Sequence, residues 1–332
     1  MIAGPRIFVV LQSGIVAARR LSDGGEAWHV ELRTERPVAA DGTSVFIASG
    51  EAIHALNAQT SDVLWRAPVG EISAPLVAHE GWVIAITETE VIALRASDGS
   101  KVWSRPNGAQ QERATIEGDN LYLPLADGHL LALDLQTGAE RWSKHFVGPL
   151  SEVLAFPDRV FVGSADKNFY CLEAGNGEWS PRGWRQFLGA TLRGRPTADG
   201  TRVYVASRDN ALRAFDRRDG ALRWQASLSF RPMAGPAVIG PVVVVSGTAA
   251  ELPAFEAATG RRAGQIALPQ DPLVPPAFAA SAEDAIVVAL TGGLNAEFML
   301  VLVEPPLPSI PLVPLTALPG IIVPVEAPAS KS

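Results

Sequence analysis

Cysteine is nearly absent: Cys171 stands alone in 332 residues. One cysteine excludes an internal disulfide and a cysteine-rich metal site. No apolar run reaches the roughly 18 residues that a membrane-spanning helix needs, so no transmembrane segment is expected. The start, Met1-Ile2-Ala3-Gly4-Pro5-Arg6, carries no basic n-region and enters a strand by Ile7, so no signal peptide is expected in it. The histidines (His29, His54, His79, His129, His145) follow no H-x-x-x-H ligand spacing. Neither a G-x-S-x-G elbow nor a G-x-x-x-x-G-K-[ST] phosphate loop occurs. Nothing assembles a nucleophile, its base and an orienting acid, which leads to the expectation of a non-enzyme without cofactor or metal. A net charge of −7 and a pI near 5.3 argue against nucleic acid as a partner.

What is abundant is repetition. An apolar–any–small–apolar quartet leads into a turn that usually carries Gly, and a Trp stands four residues after that Gly. Clear copies are Val91-Ile92-Ala93-Leu94 with Gly99 and Trp103, Leu130-Leu131-Ala132-Leu133 with Gly138 and Trp142, and Leu212-Arg213-Ala214-Phe215 with Gly220 and Trp224. The small residue recurs at Ala18, Ala55, Ala93, Ala132, Cys171, Ala214 and Ala254, in steps of 37, 38, 39, 39, 43 and 40. A constant period in this range signals a repeat architecture. Each unit offers four short strands, in the sixth Arg193–Ala198, Arg202–Ser207, Asn210–Asp216 and Ala221–Ala226, with Gly, Asp and Asn in the gaps. The second strand is apolar on both faces (Val45-Phe46-Ile47, Val160-Phe161-Val162, Val203-Tyr204-Val205), which suits burial between neighbouring sheets. The pattern predicts an all-β fold, a β-propeller of four-stranded antiparallel blades, eight by the count of units and seven if the last, incomplete one is not a blade. Trp28, Trp65, Trp103, Trp142, Trp184 and Trp224 are expected to cover the seams between blades, and Gly99, Gly138, Gly220 and Gly260 to make the tight turns before them.

The units are not identical. The second has Ser61-Asp62 where others have Gly, so a looser turn is expected; the fifth inserts residues around Trp179 and Pro181; the seventh has Gly264 in place of Trp. The eighth, Pro275–Glu304, ends without the Gly-x-x-x-Trp signature, and the first is expected to lack its opening strand, which either the C-terminus or missing upstream sequence would supply. One propeller domain is expected over residues 1–304, followed by a Pro-rich extended tail over 305–332 with an edge strand near Leu312–Leu315. Charge is uneven too. Residues 182–231 hold eleven Arg and four Asp. That segment reads either as arginine-rich surface, in a chain with only four Lys, or as an anion-attracting sector.

The run Ala132-Leu133-Asp134-Leu135-Gln136-Thr137-Gly138-Ala139-Glu140-Arg141-Trp142 resembles the repeat of the PQQ-like, quinoprotein-dehydrogenase-like propellers, and the likeness extends from about Phe8 to Glu304. In one branch of that superfamily the resemblance implies a quinone and a Ca²⁺ ion at the propeller centre. Its pair of adjacent cysteines cannot exist here, although Asp166, Asp209 and Asn210 sit in loops that could face a funnel. The other branch, the outer-membrane assembly lipoproteins of the BamB family, is similar in size. Ala190-Thr191-Leu192-Arg193-Gly194-Arg195-Pro196 is similar to the Leu-Ser-Leu-Arg-Gly segment with which that family contacts the barrel-assembly protein. Phe230-Arg231-Pro232 replaces the family's companion Asp-x-Asp, and the lipid-bearing cysteine is absent. The resemblance implies a monomeric, periplasmic or otherwise extracytoplasmic scaffold binding protein partners, an outer-membrane assembly component among them, through Leu192 and Arg193 with Arg195 and Arg231 beside them. The alternatives are a quinone-dependent dehydrogenase relative or the sensor portion of a longer chain.

Overall fold

The structure, a computed structural model, describes residues 1–11, 13–106, 112–179, 183–247, 250–267, 277–280, 285–291 and 297–303. Pro181, the Pro-rich stretch from Glu304 and the strand expected near Leu312–Leu315 lie outside the described residues. Among the described residues there is no helix, and strands pair antiparallel with their chain neighbours in seven four-stranded sheets and a last one of three strands. Two compact units share them, Met1–Trp184 and Arg185–Ser332.

Sheet three shows the pattern. Its strands are Val77–His79, Trp82–Ile86, Glu90–Arg95 and Lys101–Pro106. Side chains alternate across a strand, so each sheet offers one set of residues to each neighbour. Val83, Ala85, Ile92 and Leu94 meet Phe46, Ile53, Ala55 and Trp65 of sheet two. Ile84, Ile86, Val91 and Ala93 meet Leu121, Leu123 and Leu133 of sheet four. The two-faced apolar second strands predicted from sequence are therefore buried on both sides. Sheets one and two, four and five, and six and seven share cores of the same kind.

The repeated small residue has a definite task. Ala93 lies directly across from Trp103, and the register then slips so that Leu94 faces Lys101. The same bulge follows Ala18, Ala55, Ala132, Ala214 and Ala254. A bulge re-aims a side chain and sharpens twist. Here it tips the indole over the next sheet, and Ala leaves room for it. The Trp103 Nε1 donates to the Leu135 carbonyl at 2.8 Å, Trp65 to Ala96, Trp142 to Ala174 and Trp224 to Ala257. Gly138 lies flat beneath the Trp103 ring, at φ +71°; a methyl group on it would fall 2.7 Å from the indole. The turn glycines thus serve the preceding sheet's Trp as well as their own turn. Gly264 pairs with Ala254 where sheets one to four and six have Trp, as the sequence indicated.

Three expectations need correction. Sheet one does have an opening strand, the two residues Ile2–Ala3, paired with Arg6–Val10. The Ser61 turn is not looser: Ser61 itself takes φ +66° and donates its N–H to the Asn57 carbonyl at 3.0 Å, as Gly99 does to Arg95 at 2.9 Å. Serine takes the left-handed conformation that glycine takes in the equivalent turns, beside the same bulged register. In sheet six the first strand is only Thr197–Ala198, since Gly194 at φ +69° and Pro196 keep the preceding residues in a loop; the other strands are Arg202–Ser207, Ala211–Asp216 and Leu222–Ser227.

Tyr122 and Tyr204 hold equivalent places, each across from the repeat Ala. The Tyr204 hydroxyl reaches the Asp199 carboxylate and the Ala257 carbonyl. The Tyr122 hydroxyl is buried without a partner among the described residues; burial, with Glu117 adding to it, pushes its pKa up to about 12. A buried hydroxyl without a partner has a desolvation cost and no compensating bond. Tyr204→Phe is therefore expected to cost about 1–2 kcal/mol and Tyr122→Phe to stay within about 0.5 kcal/mol of the parent in urea unfolding. Equal losses would show that the two hydroxyls have the same surroundings.

Candidate functional site

Antiparallel succession places the second-to-third turn of a sheet and the connection to the next sheet at the same end. In the unit Arg185–Ser332 that end collects residues 188–196, the turn 208–210 and residues 228–236. All four sequence candidates lie there.

Leu192 forms an isolated bridge with Ser207 and is half-buried. The Arg193 N–H donates to the Ala206 carbonyl at 2.9 Å, and the Arg208 N–H to that of Thr191 at 3.0 Å, which sews the first loop to the turn. Arg193 Nε then donates to the Met233 carbonyl at 3.0 Å and ties the first loop to the second. Gly194 and Gly235 make this approach close: a Cβ on Gly235 would lie 1.8 Å from the Arg195 carbonyl oxygen. Phe230 packs into the core shared by sheets six and seven, against Gly247. Arg193, Arg195 and Arg231 are exposed. The structure thus brings the loops of Leu192, Arg193, Arg195 and Arg231 onto one end of adjoining sheets.

Sequence reasoning missed what stiffens the turn. Arg213, 9% exposed, meets Asp209 Oδ2 at 2.5 Å, Ser207 Oγ at 2.6 Å and Gln225 Oε1 at 2.9 Å. Burial raises the Asp209 pKa, but the bonds from Arg213 and Ser207 outweigh it and the net shift is downward. It missed Arg208 and Gly235 as well, although Pro196 and Pro236, one repeat apart, mark equivalent points of the two loops.

A quinone and Ca²⁺ centre does not fit these residues. Asp166 is taken up by the Tyr170 hydroxyl and the Asn168 N–H, and Asp209 by Arg213 and Ser207. Asn210, at φ +58°, is a turn residue. Among the described residues no three His, Cys, Asp or Glu side chains are grouped to hold a metal ion. Cys171 is fully buried beside Arg159, and burial pushes its thiol up to about 11. It is a packing residue.

The family model described as outer membrane protein assembly factor BamB matches residues 12–150 and 147–274. The chain belongs to the BamB family. Its likeness to BamB of Shewanella oneidensis is 25% identity over 197 residues, 52% of this chain and 49% of that protein. The chain spans about half the length of the first curated relatives it matches, 49% and 50%. Among solved structures, BamB from Moraxella catarrhalis superposes with a TM-score of 0.70 at 18% identity, over 87% of this chain and 93% of that one. Quinohemoprotein alcohol dehydrogenase from Comamonas testosteroni gives 0.65 at 13% identity, over 88% of this chain and 70% of that one. The fold is therefore a PQQ-like β-propeller of four-stranded antiparallel blades. One fold carries both a BamB and a dehydrogenase, so function has to be argued from the site.

Proposed function

We propose that this chain is a non-enzymatic, extracytoplasmic propeller scaffold that holds a protein component of outer-membrane protein assembly. Residues 1–304 make the scaffold domain, and it acts as a monomer. The contact surface is the paired loops, with Leu192 and Arg193 at its centre and Arg195 and Arg231 beside them.

The Arg193–Met233 tie carries this reading. It fixes two exposed loops of successive sheets relative to each other, so a partner meets a preformed surface and loses less entropy on binding. Leu192 lends apolar area, and the arginines lend directional donors of a type enriched among interface anchors. Family membership supplies the class of partner.

The test is binding of the purified chain to the barrel-assembly protein of the same organism. Leu192→Asp with Arg193→Glu is expected to weaken it by about 100-fold, as loss of two central anchors does. Unchanged binding by a variant with the parent's circular dichroism would refute the site.

A further inference from the structure

Between residues 193 and 231 arginines stand toward both ends of sheet six, and the two ends differ in how many acids accompany them. At the end with the third-to-fourth turns, arginines stand against acids of their own sheets. Arg223 pairs with Asp216 at 2.6 Å, Arg261 with Glu256 at 3.0 Å, and Arg202 faces Asp199 at 3.9 Å. The candidate end is built otherwise. Residues 188–196 contain Arg193 and Arg195 and no acid, and residues 228–236 contain Arg231 and no acid. In the turn 208–210, Arg208 is exposed and the exposed Asp209 is engaged by the largely buried Arg213; on sheet seven the exposed Glu251 follows the corresponding turn, so arginines outnumber acids at this end. Phe187, 69% exposed, stands where Trp184–Phe187 runs into the first loop.

We infer that this surface takes an acidic protein segment bearing apolar side chains, held by Arg193, Arg208 and Arg231 around Leu192 and Phe187. The inference rests on the interface proposed above and adds the sign of the partner. Guanidinium groups grip carboxylates through paired donors, and Arg with aromatic residues is the composition of strong interface anchors. Like charges across an interface are costly, so the same arginines exclude a basic partner. The positive field also speeds encounter, in a salt-dependent way. A protein occupant is favoured over nucleic acid because the chain as a whole is net −7, and over a lipid surface because the patch is two stiff loops with a single large exposed apolar side chain.

Fluorescence anisotropy decides it. The probes are a labelled peptide of alternating Glu and Leu, its Lys-for-Glu counterpart, a single-stranded oligonucleotide and phosphatidylglycerol vesicles. The Glu peptide is expected to bind at low salt, to weaken at least about tenfold at physiological salt, and to bind more tightly than the Lys peptide. Arg208→Glu with Arg231→Glu should weaken it by at least about tenfold more, whereas Arg218→Glu with Arg262→Glu, at the opposite end, should leave it within about twofold. Equal losses from both pairs, tighter binding of the Lys peptide, or stronger arginine-dependent binding of oligonucleotide or vesicles overturns the inference. Charge reversal leaves Leu192 in place, which separates the two claims. If Leu192→Asp releases the barrel-assembly protein and reversal at Arg208 and Arg231 does not, the interface stands and its acidic occupant is wrong. If reversal abolishes Glu-peptide binding while Leu192→Asp with Arg193→Glu leaves the barrel-assembly protein bound, the acidic site stands and the assembly protein is held elsewhere on the chain.

Discussion

Trp142→Ala is expected to lower the free energy of unfolding by about 3–5 kcal/mol, the range for emptying a packed Trp site. Trp142 is 8% exposed. Its ring lies over Gly177, whose added Cβ would come 2.6 Å from it, and packs against Tyr122 with centroids 5.9 Å apart. Its Nε1 gives the Ala174 carbonyl a 2.8 Å bond. Removing the indole therefore opens a cavity between sheets four and five and strips a buried carbonyl of its donor. Trp28 is the internal comparison. It is only half-buried, its bond to the Ala58 carbonyl is 3.1 Å, and the turn it covers contains Ser61 in place of Gly. Trp28→Ala should accordingly cost less than Trp142→Ala. Urea unfolding of both variants measures the difference. A loss below about 1 kcal/mol for Trp142→Ala would mean that the seam repacks without the ring and that the repeated Trp does not close it.

That comparison shows what the sequence made legible. The period, the small residue, the Gly and the Trp could all be read because each recurs, and recurrence reports packing between one sheet and the next. The bulge between Ala93 and Leu94 could not, since one extra residue in an outer strand leaves the spacing of the letters unchanged. Ser61 was misjudged because the turn beside the bulged register keeps its conformation with serine in the place of glycine. Ile2–Ala3 escaped notice because two residues are too few to display alternation. The candidate site was harder still. Leu192 and Arg193 stood out through resemblance, but the bond from Arg193 to Met233 joins residues 40 positions apart through a backbone carbonyl, which no side-chain pattern announces. The sorting of arginines by end became visible only once strand order was known. Asp209 and Arg213 are four apart in sequence, much like the other acid–arginine pairs, yet theirs is the pair that engages an acid of the candidate surface from beneath.

Gly235→Ala is the second large effect, and it separates the stiffness of the site from its composition. The added methyl would lie 1.8 Å from the Arg195 carbonyl oxygen and 2.8 Å from its carbon, so one of the two loops has to move. Neither neighbour is the end of a flexible side chain; both are backbone, held by the Arg193 N–H to Ala206 and the Met233 N–H to Ser246 bonds. Overpacking of this kind costs about 1–3 kcal/mol. The larger consequence is for recognition. Parting the loops breaks the Arg193–Met233 tie and carries Arg231 away from Leu192 and Arg193 while every one of those side chains is retained. Partner binding should therefore fall by at least about tenfold, with the loss mainly in the dissociation rate because the field that governs encounter keeps its charge. Gly240→Ala is the control: Gly240 has positive φ, +54°, which Gly235 does not, but nothing lies within 4 Å of its added methyl, and it sits in the turn at the opposite end. It carries a conformational penalty of its own without a clash between loops and should leave binding unchanged. Equal binding by the two glycine variants would show that the interface tolerates independent loops, and that preorganisation by the Arg193–Met233 tie contributes nothing to it.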